Sequence, residues 1–330
     1  MEEKKLYPFR FTRIEDKYPW GSEEFRLADL GYRDTFVKGG WLGGNAFADV
    51  METYLDRITG DRVFVFYGAQ FPFQIKDIKV KGKMPLRVSP DDELARERYD
   101  HLGKEKLWYI RNAGSDARLM LGFKEDCDGG TFYEACMNGT ADKHLNVLQP
   151  IEGQYFHIPP GTPHCAWGSL DIIEVSESSA LDFLLCPWGL EVSVDEFDPD
   201  LNLVQALDFI SFGKAPSELL TGNAAPAESE GTGKTILRLP QLCVNLLQLD
   251  QPLHVNSPEA GSCTAYALVK GSFAVIPGDA DTLKNTDMSV AAKQAADTVL
   301  VPSELTDFNL LPLKEGTVVL EVMVEEVPKQ

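Results

Sequence analysis

One stretch of the chain sets turn-forming residues and an imidazole at fixed spacing: Gly153-Gln154-Tyr155-Phe156-His157-Ile158-Pro159-Pro160-Gly161-Thr162-Pro163-His164. It reads as G-x5-P-x-G-x2-H. Gly153 turns the chain into a strand, Pro159 and Gly161 reverse it, and His164 is thereby aimed inward from the returning strand. An imidazole so placed can ligate a metal, move a proton or hydrogen-bond a ligand. A lone histidine on a strand is more often a satisfied core residue, and the turn chemistry is what lifts His164 above that background. His157 lies seven residues earlier, which at a period of two predicts the opposite face. His101, His144 and His254 have no companion ligands at metal spacing. Trp108, Trp167 and Tyr109 have flat faces able to stack on a sugar, although burial is the default for aromatics.

Two glycine-rich stretches carry no chemistry. Gly231-Thr232-Gly233-Lys234-Thr235 ends like a phosphate-binding loop, but that loop needs a glycine where Glu228 stands and a buried strand before it. Gly39-Gly40-Trp41-Leu42-Gly43-Gly44 lacks dinucleotide-loop spacing and reads as a loop before a helix.

The elements around His164 read as short strands. Runs over 63–67, 71–80, 106–111, 118–123, 154–158 and 171–175 are β-branched or aromatic and punctuated by turn residues. That spacing favours antiparallel sandwiches over alternating βαβ units. Two helices interrupt them. Phe47, Val50, Met51, Tyr54 and Leu55 recur at helical spacing over 46–57, with Asn45 at the N-cap position. A second begins at Ser89-Pro90-Asp91-Asp92, with Ser89 as the capping hydroxyl, and runs to about His101. Strands are predicted again over 242–249, 263–269, 272–276, 298–301 and 317–324. Residues 213–234 hold no aromatic residue until the strand-rich part resumes and read as a linker or loop. The expected organisation is an N-terminal module over 1–212 carrying the pocket, the segment 213–234, and a C-terminal module over 235–330.

Composition narrows the function. Hydrophobic residues are 44% and charged residues 25%, an ordinary globular mix, and no apolar run reaches the ~20 residues of a membrane helix. A formal charge of -20 repels phosphate backbones, so neither nucleic acid nor membrane is an expected partner. No signal-peptide pattern follows Met1-Glu2-Glu3-Lys4-Lys5. The six cysteines form no C-x-x-C pair and read as reduced thiols of a cytoplasmic protein. Nothing in the sequence demands an oligomer.

The Gly153–His164 pattern resembles the second cupin motif up to its histidine, with Gly168 in place of the terminal asparagine. Together with Tyr18-Pro19-Trp20-Gly21, Phe71-Pro72-Phe73-Gln74-Ile75-Lys76, Pro90-Asp91-Asp92, Gly103-Lys104-Glu105-Lys106-Leu107-Trp108-Tyr109 and Glu174, it resembles the ordered landmarks of type I mannose-6-phosphate isomerases. The resemblance covers nearly the whole chain. It implies a mainly β fold of two cupin (jelly-roll) modules with a few helices. It also implies zinc-dependent interconversion of mannose 6-phosphate and fructose 6-phosphate, in which a metal and a cation stabilise enediol-like charge while a base moves a proton between C1 and C2.

The site residues carry over unevenly. The family holds zinc with the Gln and His of Q-V-H-P-D-D, the Glu of G-K-T-E and the His after the Pro-x-Gly turn. Here those positions are Arg87, Ser89, Lys106 and His164, so His164 is the only surviving ligand and zinc is not expected at the usual site. An arginine of the family that assists proton transfer is Leu184 here. Lys76 and Lys104 match family lysines near substrate and phosphate. The expected ligand-binding set is therefore Lys76, Arg87, Lys104, Lys106 and His164, with Arg87, Lys106 and Glu174 as the catalytic candidates. Arg87 and Lys106 bring positive charge to where relatives bind a cation. They either replace the metal electrostatically, or are solvated or paired with Glu105, Asp91 or Glu174. Ser89 reads as a helix cap rather than a nucleophile. A substitute metal set from His157, Glu174 and His164 stays open. The functional expectation is an isomerase-like protein of carbohydrate metabolism, binding a hexose phosphate with impaired or metal-independent activity. The alternative is a catalytically inactive sugar-phosphate-binding protein with a regulatory role.

Overall fold

The computed structural model describes residues 4–189, 200–224, 233–256, 261–278 and 298–326. In chain order the strands up to residue 224 are β1 (Phe9–Thr12), β2 (Ile14–Tyr18), β3 (Gly21–Leu27), β4 (Phe36–Val37), β5 (Phe73–Val80), β6 (Leu86–Val88), β7 (Lys106–Ala113), β8 (Arg118–Phe123), β9 (Leu145–Leu148), β10 (Gln154–Ile158), β11 (His164–Trp167), β12 (Leu170–Glu177), β13 (Phe183–Cys186) and β14 (Asn223–Ala224). They continue as β15 (Gly233–Arg238), β16 (Cys243–Leu249), β17 (Leu253–Asn256), β18 (Thr264–Lys270), β19 (Phe273–Pro277), β20 (Thr298–Val301), β21 (Asp307–Pro312) and β22 (Thr317–Met323). The α-helices are α1 (Phe47–Tyr54), α2 (Asp56–Thr59), α3 (Asp61–Tyr67), α4 (Asp92–Tyr99), α5 (Gly129–Met137) and α6 (Ser217–Thr221). The fold is mainly β, and none of the described helices is long and apolar enough to cross a membrane.

The strands fall into two units that are not consecutive in sequence. One gathers the described residues of 1–14, 25–75 and 226–330, the other those of 15–24 and 76–225. In the first unit the sheet β15-β16-β22-β18-β20-β1-β4 and the sheet β17-β21-β19 share a core of Leu247, Tyr266, Val299 and Val319 from one and Phe273, Phe308 and Leu310 from the other. In the second, the sheet β14-β10-β7-β12-β5-β3-β2, whose β3 and β5 run on past the unit's bounds, shares a core with β13-β6-β11-β8-β9. Ile78, Trp108, Ile110, Phe156 and Ile172 enter that core from the larger sheet, and Leu119, Leu121 and Ala166 from the smaller. Two β-sandwiches of antiparallel strands result, each hydrophobic where its sheets meet.

Some local expectations give way. The run over 63–67 is helix α3, not a strand: Val63 and Tyr67, four apart, are buried while Val65 is 79% exposed, a period no strand would produce. The helix over 46–57 is broken at Leu55, whose φ is 42°, into α1 and α2. Ala46 rather than Asn45 occupies its N-cap, and the Asn45 amide instead donates to the Leu42 carbonyl at 2.8 Å. Helix α4 starts two residues later than expected, capped by the Asp91 carboxylate accepting from the Leu94 amide at 2.9 Å, which frees Ser89 for another partner. Segment 213–234 carries α6 and β14 and the start of β15, with 225–232 outside the described residues. Gly233-Lys234-Thr235 thus opens a strand, where a phosphate loop would lead into a helix.

Gly21 has a specific duty. At φ 150° it starts β3 so close to β5 that an added Cβ would lie 1.9 Å from the Lys79 carbonyl oxygen. Gly21→Ala is expected to destabilise the chain by about 2–3 kcal/mol, from backbone strain and the displaced strand, read as a lower midpoint in urea. An unchanged midpoint would mean that β3 has room to shift.

Candidate functional site

Strand periodicity turns a set of charged side chains into the second sandwich. On β7, Lys106 lies two and four residues from Trp108 and Ile110, both in the core, so it points the same way. Opposite them on β12 are Ser176, paired with Lys106, and Glu174, paired with Trp108. On the smaller sheet Arg87 of β6 stands directly across from His164 of β11, and Leu184 of β13 stands across from Arg87, placing all three on one face. Glu23 comes from β3 and Lys76 from β5.

These side chains make two buried clusters, one around Glu23 and Glu174 and one around Asp182, which meet where the Trp108 and His164 rings touch. Glu23 accepts from Lys76 Nζ and from Arg87 Nη1, each at 2.9 Å. Glu174 accepts from the Trp108 indole N–H at 2.7 Å and the Ser176 hydroxyl at 3.4 Å, and lies 3.4 Å from Lys76 Nζ. Asp182 accepts from Ser89 Oγ at 3.0 Å and Lys106 Nζ at 2.5 Å through Oδ1, and from Lys104 Nζ at 3.1 Å through Oδ2. Lys106 Nζ also stands 2.9 Å from His164 Nε2, and His164 Nδ1 is 2.8 Å from the Thr162 carbonyl. A carbonyl can only accept, so Nδ1 carries the proton and Nε2 offers its lone pair to the Lys106 ammonium. The His164 ring also meets the Trp108 ring edge to face at a centroid distance of 5.4 Å.

Charge follows from this arrangement. Burial disfavours ionisation of Asp182, but Lys104, Lys106 and Arg87 outweigh it and hold the carboxylate well below its ordinary pKa. Burial likewise works against Glu174 and Glu23 as anions. Lys76 and then Lys106 overcome it for Glu174, and Lys76 and then Arg87 for Glu23, so both stay below the ordinary range. Burial lowers Lys106 to about 8 despite the pull of Asp182 and Glu174. Burial and then Lys106 lower His164 to about 3, which keeps it neutral. Near neutral pH four cations, Lys76, Arg87, Lys104 and Lys106, face three carboxylates, an excess of one positive charge within the set.

The structure thus brings Lys76, Arg87, Lys104, Lys106, His164 and Glu174 together. It adds Glu23 and Asp182, which sequence reasoning passed over, although four inward-facing cations require buried counter-charges. Ser89 does not cap α4; its hydroxyl donates to Asp182. His157 lies apart from Glu174 and His164, its Nε2 2.7 Å from Glu105, so the substitute metal set does not form. Trp167 faces the Lys83 ammonium, 5.4 Å from its ring centroid.

The four positions at which the family resemblance implies zinc ligands do meet, but not as a ligand set. Two are cations, and Lys106 Nζ holds the His164 lone pair a metal would use. Among the described residues no group of three or more His, Cys, Asp or Glu is arranged to hold a metal ion. These residues do not fit zinc.

Comparison with known proteins gives a consistent relationship. No family model matches the chain. It is 28% identical over 182 residues to a Bacillus subtilis protein named as a probable mannose-6-phosphate isomerase, GmuF, covering 51% of this chain and 54% of that one. It is 25% identical over 169 residues to the mannose-6-phosphate isomerase of Streptococcus mutans, covering 51% of each. The aligned part thus spans about half the length of these two relatives. The crystal structure of the mannose 6-phosphate isomerase from Bacillus subtilis superposes with a TM-score of 0.75 at 16% identity, covering 96% of this chain and 99% of that one. A mutant of the phosphomannose isomerase from Salmonella typhimurium gives 0.72 at 12% identity, covering 97% and 100%. The mainly β, two-sandwich fold is therefore shared along nearly the full length of both.

Proposed function

We propose that this chain, a divergent member of the type I mannose-6-phosphate isomerase family, binds a hexose phosphate in its second unit and interconverts aldose and ketose forms weakly and without zinc. The observation that carries this reading is the Lys106 ammonium standing between His164 and Asp182, where the family resemblance puts a cation. Isomerisation passes a proton between C1 and C2 and builds negative charge on the adjoining oxygens. Arg87 supplies fixed positive charge for those oxygens, and Lys106 adds its charge while protonated. With a pKa near 8, Lys106 is also the group of the set that exchanges a proton near neutrality. Glu174, bound to Trp108 and Lys76, stays ionised and serves as a positioning anion. The six thiols are all unpaired, in keeping with a reducing compartment such as the cytoplasm.

A second reading, binding without turnover, is favoured by one observation: Leu184, buried and apolar, faces the site at the position of the family arginine. An NMR time course with mannose 6-phosphate, run with chelator and with added zinc, separates the two. Fructose 6-phosphate forming at a rate that neither addition changes is the expected result. Binding without conversion would select the second reading, and conversion that appears only with zinc would overturn the first.

A further inference from the structure

Asp182 is set apart from the other carboxylates of the network by where it comes from. Glu23 and Glu174 are carried by strands, whereas Asp182 lies in the short non-strand connection between β12 and β13. The connection is pinned upstream, where the Ser179 hydroxyl donates to the Leu102 carbonyl at 2.7 Å, and it exposes Ala180 before Asp182 turns in. The Asp182 side chain is 13% exposed, against 1% for Lys106 and 5% for Lys104, so it lies on the outer side of the two ammonium groups it pairs with. Its two oxygens take up three donors from three separate elements: the Ser89 hydroxyl after β6, Lys104 before β7, and Lys106 on β7. Three convergent donors, two of them ammonium groups, around one carboxylate are the recognition geometry of an oxyanion.

Building on the hexose-phosphate reading above, we propose that Ser89, Lys104 and Lys106 form an oxyanion hole, taking a phosphoryl or carboxylate group, which the chain's own Asp182 fills until a ligand anion displaces it. The polarity of the site is then the reverse of a metal centre: the same place receives an anion from outside and supplies the cations itself. The network's excess of one positive charge persists with Asp182 in place, so an incoming dianion gains more than the carboxylate it replaces. Displacement needs only a side-chain rotation in a connection that belongs to no strand. Asp182 therefore acts as a built-in competitor that raises the ligand concentration needed for occupancy.

The test removes the competitor and offers an anion in its place. Asp182→Ala and the parent are melted in sodium phosphate, sodium acetate and sodium chloride at equal ionic strength. Phosphate is expected to raise the midpoint of Asp182→Ala by several degrees more than chloride does, and by more than it raises the parent. A folded Asp182→Ala that phosphate stabilises no more than chloride overturns the proposal. If Asp182→Ala does not fold in chloride, its recovery in phosphate supports the hole. Should it recover in neither, Asp182→Asn decides by calorimetry, with mannose 6-phosphate bound at least tenfold tighter than by the parent as the expected result and equal affinity as the overturning one. The hexose-phosphate reading is judged separately on the parent. Phosphate rescue without any binding of mannose 6-phosphate keeps the hole and removes the hexose, and mannose, lacking the anion, is expected to bind no tighter to the variants than to the parent.

Discussion

Replacing Glu174 with alanine is expected to cost the second unit about 3–5 kcal/mol, seen as a lower guanidinium midpoint by tryptophan fluorescence. The carboxylate is 2% exposed and does two jobs at once, accepting the Trp108 indole N–H at 2.7 Å and lying 3.4 Å from the Lys76 ammonium. Alanine leaves a buried donor unmet and a buried cation with one counter-charge fewer, and both penalties arise from groups that remain. Glu174→Gln keeps an acceptor for Trp108 and should recover roughly half of the loss, whereas Lys76→Met combined with Glu174→Leu should cost less than the two single changes added together. The sign with pH follows from the direction of the shift. Burial raises the Glu174 pKa, Lys76 and Lys106 more than reverse that, and the folded value lies below the unfolded one. Its contribution is therefore complete above the unfolded pKa of about 4.3 and fades as pH falls through the folded value, so parent and Glu174→Ala should converge in acid. A loss under about 1 kcal/mol at neutral pH would show that water or a neighbouring side chain takes over the carboxylate's place.

What could be read in the sequence and what could not divide along physical lines. Strand periods and turn residues are local, and they marked Gln154–Ile158, the Pro-Gly reversal and the inward aim of His164. The run Asp61–Tyr67 misleads because β-branched and aromatic residues suit a strand, while the helical spacing of Val63 and Tyr67 wins through burial on a single face. The landmark positions pointed to Arg87, Lys104, Lys106 and His164, since each sits beside a recognisable turn or motif. Glu23 and Asp182 lie close to the Tyr18–Gly21 landmark and to Leu184, but nothing in those patterns gives either a role: one lies in an ordinary strand and the other in a connection, and only three-dimensional convergence reveals them. Ser89 shows the same limit. Its sequence neighbours suit a cap, yet Asp91 takes that role and a residue 93 positions away takes the hydroxyl.

The network also predicts what would restore a metal. In the triple variant Arg87→Gln, Ser89→His, Lys106→Glu, zinc is expected to bind with one-to-one stoichiometry and on the order of a thousandfold or more tighter than in the parent, by calorimetry and metal analysis after dialysis. The positions are already convergent, with Arg87 across from His164 and both Ser89 and Lys106 bonded to Asp182 Oδ1. Three changes are needed together because each cation alone opposes the charge a metal brings. Lys106→Glu frees the His164 lone pair but leaves the Arg87 guanidinium nearby, and Arg87→Gln alone leaves Lys106 on Nε2. Without metal, the new carboxylate at 106 would face Asp182, so the variant should be less stable than the parent until zinc joins them, and zinc should then raise its midpoint while barely moving that of the parent. A folded triple variant that retains no zinc would mean that these side chains converge on Asp182 without the geometry of a metal site, and that more than charge separates these positions from the zinc ligands the family resemblance implies.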